Sequence, residues 1–178
     1  MKSMIAINII GMIITLGAST ALGLYLASLG TFRQQDLLAF KKALLILKSE
    51  IEYIATPLPQ AMANIADRTA NPVSQLFAHF AQRLKQNEDG ETAYQLWISA
   101  IEVHKNKAFL TDEDWEVIGN FGKTLGYLDK QMQVDSIHFT IDYLDAHISQ
   151  LQESNAKNKK MYQSLGVIGG ILLLVIFW

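Results

Sequence analysis

Thirty residues without a charged side chain run from Ser3 to Phe32, and eighteen more run from Met161 to Trp178. Both ends of the chain must therefore be buried against something apolar, with a polar middle folded between them. At a rise of about 1.5 Å per residue, a helix over the first run reaches about 45 Å and one over the last about 27 Å, against a hydrocarbon core of about 30 Å. The first is expected to span a bilayer and project beyond it. The second suffices for a thin or locally compressed bilayer if Trp178 ends at the far headgroups, with interfacial docking as the alternative. The expected segments are transmembrane helices over 4–30 and 161–178 and a water-exposed domain over 31–160.

Charge near the membrane gives the orientation. Arg33, Lys41 and Lys42 follow the first run and Lys157, Lys159 and Lys160 precede the second, with Lys2 alone outside the middle. The positive-inside rule places the middle in the cytoplasm and both termini across the membrane. Ala21-Leu22-Gly23 offers small residues for a signal-peptide cut, but the apolar run continues through Leu24, Tyr25 and Leu26 and no basic stretch beyond Lys2 precedes it. Fourteen bases face seventeen acids in the middle, a formal charge of −3, so no basic surface for nucleic acid is expected. The chain has no cysteine, which removes disulfides, thiolate metal sites and thiol nucleophiles together.

Small residues stand at every fourth position of the first run, at Gly11, Thr15, Ser19, Gly23 and Ala27, and Gly166 and Gly170 repeat that spacing in the second. Such ridges let helices approach closely in lipid; the same residues are also common in membrane helices at large. The expected packing positions are Gly11, Ser19, Gly23, Gly166 and Gly170.

The middle reads as helical throughout. Leu37, Phe40, Leu44, Leu47, Ile51 and Ile54 step by three and four along one helix that ends before Pro57. Pro59 suits the first turn of a second helix carrying Met62 and Ile65. Asn71 and Pro72 read as cap and first turn of a third, with Val73, Leu76, Phe77 and Phe80 on one face. Asn87-Glu88-Asp89-Gly90 reads as a loop, and a fourth helix from near Glu91 buries Leu96, Trp97 and Ile101. Thr111 can cap a fifth helix whose Asp112, Glu113 and Asp114 oppose the positive end of its dipole, with Gly126 at its end. A sixth runs from about Asp129, with Val134, Ile137, Ile141, Leu144, Ile148, Leu151 and Asn155 as a coiled-coil seam. The expected fold is all-α: an antiparallel six-helix bundle with a long helical stalk between two transmembrane helices.

Chemistry-bearing patterns are weak. Gly122-Lys123-Thr124 resembles the end of a phosphate loop, but Val117 stands where the leading glycine belongs and no strand precedes it. Gly119, Gly122 and Gly126 are better read as room for a neighbouring helix. His79, His104, His138 and His147 lack the short spacing of zinc sites, and Asp112, Glu113, Asp114 and Glu116 fit dipole partners, or a docking patch for a basic partner, better than catalytic carboxylates. Trp97 and Trp115 are expected in the core. No catalytic residue, cofactor, metal or small-molecule substrate is expected. The element least compatible with helix, Tyr53 with Thr56-Pro57-Leu58-Pro59, is a rigid corner suited to partner contact, with Asp112 and Asp114 as a second candidate patch.

Several pieces recur in order: Leu47-Lys48-Ser49-Glu50-Ile51-Glu52-Tyr53 leading to Thr56-Pro57-Leu58-Pro59-Gln60-Ala61-Met62, Trp97 in the fourth helix, Leu125-Gly126 followed by Asp129 and Gln133, and Tyr162 with Leu165-Gly166 opening a tail that holds Gly169-Gly170. In this order, with an apolar run at each end, the chain resembles the stage III sporulation protein AB family over nearly its full length. That resemblance implies a component of the stage III A transenvelope complex between mother cell and forespore, with a soluble part similar to the cytoplasmic domain of the F protein of type II secretion and type IV pilus systems. It implies a non-enzymatic scaffold in the mother-cell membrane whose cytoplasmic domain contacts the AA secretion-type ATPase and other proteins of that complex. The alternative is a membrane-tethered coiled-coil sensor or receptor.

Overall fold

The computed structural model describes residues 2–54, 56–87, 90–126 and 129–176; within its helices the side chains of 2–10, 12, 13, 16, 26, 27, 158–160, 162, 163, 165–167 and 169–176 are left undescribed. The described residues are all-helical, with no strand. In chain order they form α1 (Lys2–Ser49), a π-helical stretch (Glu50–Ile54), α2 (Leu58–Arg68), α3 (Val73–Lys85), α4 (Ala93–His104), α5 (Asp112–Phe121) and α6 (Lys130–Ile176). Short 3-10 turns at Lys105–Lys107 and Gly122–Thr124 follow α4 and α5. The chain divides into two compact units, one of residues 1–32 with 150–178 and one of residues 33–149.

In the second unit, local chemistry sets most helix starts. Pro59 sits in the first turn of α2, where its missing N–H costs no hydrogen bond. Thr92 caps α4 and Thr111 caps α5, each in a reciprocal box with the residue three along, Gln95 and Asp114. Only the Thr111 cap is legible as the start of an expected helix; α4 begins two residues beyond Glu91. The expected Asn71 cap is not formed: Pro72 holds the cap position of α3 with no side-chain bond, and the Ser74 N–H instead donates to the Ala70 carbonyl at 2.9 Å.

Trp97 is the centre of the core. It is fully buried, its rings lie 5.4 Å from Phe77, 5.1 Å from Phe80 and 6.0 Å from Phe121, and its Nε1–H donates to the Ile118 carbonyl at 2.9 Å. The three glycines after Asp112 make room for α4. A Cβ on Gly119 would touch Ile98 and one on Gly126 would touch Ala93, both at 3.4 Å, while one on Gly122 would run into the Trp97 ring. Phe40 extends the cluster from α1, edge-on to the half-buried Trp115 at 5.7 Å. Burying each such aromatic contributes about 1.5–3 kcal/mol relative to leaving it in water.

Helices α1 and α6 run antiparallel in this unit. Lys41 pairs with Asp145 at 2.5 Å, and in the π-helical stretch that follows α1 the Glu52 carbonyl accepts from Lys130 Nζ, earlier on α6, at 2.5 Å. Their facing rows, Leu37, Phe40, Leu44 and Leu47 against Val134, Ile137, Ile141, Leu144 and Ile148, are buried. The expected row fails at its end, because Ile51 is half-buried and Ile54 is exposed. The π-helical stretch takes more than 3.6 residues per turn, so the three-and-four spacing no longer returns to one face.

In the other unit α1 and α6 meet at Gly30, where a Cβ would take the place of the Asn155 side-chain carboxamide. Among the described residues no helix is long and apolar enough to cross a membrane. Trp178, expected at the far headgroups, lies outside the described residues.

Candidate interaction surface

The corner at Glu50–Pro59 is built around one carboxylate. Glu50 is buried at the start of the π-helical stretch; its Oε2 accepts from the Thr56 hydroxyl at 2.5 Å and its Oε1 from Asn64 Nδ2 at 3.1 Å, while its carbonyl accepts from the Thr56 N–H at 3.2 Å. The Thr56 hydrogen bond, against the opposing effect of burial and with help from Asn64 and the Arg68 charge, holds the Glu50 carboxyl below the usual range. Lys130 and Lys48 brace the same stretch through the carbonyl and carboxylate of Glu52.

What this clamp presents is apolar. Tyr53 and Ile54 are 79% and 64% exposed, whereas Leu58 and Pro59 are half-buried and Pro57 is exposed. Both Glu50 oxygens are engaged in holding the π-helical turn, and the turn holds two apolar side chains exposed in a fixed arrangement. Ile54 belongs to this surface and is concealed in the sequence by its apparent place on the buried row.

The second expected patch divides. Asp112 is exposed, but Asp114 is fully buried: Arg33 Nε and Nη2 donate to its two oxygens at 2.9 Å each, and the Thr111 N–H and hydroxyl donate to Oδ2 at 2.9 Å. Asp114 is therefore not presented to a partner. Burial works against its charge, but Arg33 and Thr111 hold its carboxyl below the usual range. Tyr143 packs beside this pair, its ring 4.2 Å from His147, and burial followed by the Asp114 charge pushes its hydroxyl up to about 12. Nearby the buried Asp36 carboxylate accepts from the Phe109 N–H at 2.7 Å and is raised by burial, tying the connection before α5 to α1. Arg33 and Tyr53 are separated by roughly 30 Å of helix, so the two patches do not form one surface.

His79 and His104, far apart in sequence, are neighbours in space, with ring centroids 5.2 Å apart. His104 is buried with neither ring nitrogen hydrogen-bonded, and burial, then Lys107 and His79, lowers its basicity. Among the described residues no third His, Cys, Asp or Glu joins them to form a metal-binding group. Of the expected membrane packing positions, Gly23 is buried, Ser19 is half-buried, and Gly11 is exposed with open space where a Cβ would go. The surroundings of Gly166 and Gly170 lie outside the described residues. Gly30, which among the glycines of this unit with described surroundings meets the other helix, falls outside the expected set because it breaks the four-residue repeat.

The family model for stage III sporulation protein AB matches residues 8–178. The chain belongs to the stage III sporulation protein AB family. Stage III sporulation protein AB of Bacillus subtilis (strain 168) is 32% identical over 170 residues, which is 96% of this chain and 98% of that protein. A solved structure of stage III sporulation protein AB (SpoIIIAB) matches with a TM-score of 0.64 at 29% identity, covering 70% of this chain and 97% of that one. Membership of the stage III sporulation protein AB family joins the Glu50 corner and the Arg33–Asp114 brace to a sporulation protein.

Proposed function

We propose that the chain is a non-enzymatic membrane scaffold of the stage III A secretion-like complex, anchored in the mother-cell membrane by its two apolar ends and linking that membrane to the AA secretion-type ATPase. In this reading 4–30 and 161–178 span the bilayer, and 31–160 faces the cytoplasm as a helical domain on a stalk. Family membership and the uncharged runs support the setting. The observation that carries the scaffold role is the clamped corner, where Glu50 fixes the turn that leaves Tyr53 and Ile54 exposed.

The rival, a coiled-coil sensor or receptor, needs an apolar seam free for a second chain. Val134, Ile137, Ile141, Leu144 and Ile148 are already buried within this one, which favours the scaffold. The test is recruitment of the purified ATPase to vesicles carrying the full chain. Recruitment is expected to fall in Tyr53→Ala/Ile54→Ser and to vanish when 31–160 is removed; recruitment that survives that removal overturns the scaffold reading.

A further inference from the structure

The first apolar run is half as long again as a bilayer core. Thirty helical residues reach about 45 Å against about 30 Å of hydrocarbon, while the eighteen from Met161 reach about 27 Å. The contact between Gly30 and Asn155 aligns the two. Their unit contains residues 1–32 and 150–178, so from that crossing α1 leads back to lower numbers as α6 leads on to higher ones. Five residues along, Tyr25 comes level with Lys160, and Leu24 with Met161, the first residue of the second apolar run.

The exposed side chains change character at that same level. Leu22, Leu24, Tyr25 and Met161 are exposed on one side of it. On the other side the exposed residues of α6 are Gln150, Gln152, Glu153, Ala156 and Lys157, and on α1 Thr31 is exposed beside Phe32, the one large apolar side chain exposed there among the described residues. Glu153 comes level with Phe32 and Lys157 with Ser28, and a charge at either level is not accommodated in hydrocarbon, where polar groups lack water to bond with. The Ser28 hydroxyl already donates to the Tyr25 carbonyl at 2.7 Å, so that residue sits at the change without an unmet donor.

We infer that the hydrocarbon boundary crosses this unit at Tyr25 rather than after Phe32, with Tyr25 and Lys157 forming a belt that contacts phospholipid headgroups. The inference rests on the membrane-spanning reading proposed above. Residues 4–24 then cover about 31 Å, close to the hydrocarbon thickness, and end level with Met161. Leu26–Phe32, about 10 Å of helix, stands at headgroup level and beyond, beside α6. The phenol of Tyr25 is amphipathic and suits the interface, and Lys157 can direct its ammonium to lipid phosphate while its stem lies along the helix.

The chain lacks cysteine, so single Leu24→Cys, Thr31→Cys and Lys157→Cys variants of the full chain report the boundary directly. All three positions are exposed on the protein, so the protein itself shields none of them. In nanodiscs of phosphatidylethanolamine and phosphatidylglycerol, a membrane-impermeant maleimide is expected to label Thr31→Cys and Lys157→Cys and to lose its reaction with Leu24→Cys. Protection of Thr31→Cys along with Leu24→Cys moves the boundary past Phe32 and overturns the inference while leaving the spans intact. Equal labelling at all three overturns the membrane-spanning reading and the inference with it.

Discussion

Arg33 holds both carboxylate oxygens of Asp114, Nε to Oδ2 and Nη2 to Oδ1, each at 2.9 Å. One partner lies in α1 and the other in the first turn of α5, eighty-one residues later. The carboxylate also closes the Thr111 capping box, so one buried group fixes the start of α5 and its attachment to α1. A fork with two parallel hydrogen bonds specifies orientation as well as distance.

Removing one partner of this pair leaves the other uncompensated. Asp114→Ala is expected to destabilise by about 3–5 kcal/mol, whereas Asp112→Ala, at an exposed neighbour, stays within about 1 kcal/mol. Urea unfolding of the full chain in detergent measures both. Equal small effects would show that the Arg33 contact does not hold α5 in place.

Gly122 is the point where the backbone after α5 meets the Trp97 indole. Gly122→Ala places a methyl group in the path of a ring that is packed on several sides and bonded to Ile118, with an expected cost of about 1–3 kcal/mol. Near-ultraviolet circular dichroism should lose part of its tryptophan signal in parallel. An unchanged spectrum and midpoint would mean that the indole can move aside.

His104 makes stability depend on mild acid. Burial, Lys107 and His79 lower its pKa in the fold below the ordinary 6.5. Its contribution is therefore fully present above pH 6.5 and is lost as pH falls through the folded value. Denaturation midpoints followed from neutral to mildly acidic pH should decline in this window for the natural chain and decline less for His104→Gln. Glu50 and Asp114, whose ordinary values are 4.5 and 3.8, are also lowered, so their contributions are lost only on stronger acidification.

The Gly30–Asn155 contact predicts a change of sign between backgrounds. Alanine is the better helix former, by roughly 0.5–1 kcal/mol, but in the natural chain its methyl group must displace the Asn155 carboxamide. Gly30→Ala is expected to be neutral or destabilising alone and stabilising once Asn155→Ala has cleared the space. Thermal unfolding in detergent across the four-variant cycle reads the coupling, and additive changes would rule the contact out.

The sequence by itself determined the helical class, the antiparallel course of Leu37–Leu47 against Val134–Ile148, the Thr111 cap, and the service of Gly119, Gly122 and Gly126 to a neighbouring helix. Periodicity, capping chemistry and the absence of a Cβ are local properties, which a linear string carries. Only the tertiary structure decided that Asp114 is buried under Arg33 while Asp112 is exposed, that Ile54 leaves the apolar row, that His79 meets His104, and that Gly30 meets α6 while Gly11 faces open space. Each of these depends on groups brought together from distant segments, or on a helix that changes pitch at Glu50, and the spacing of residues along the chain records neither.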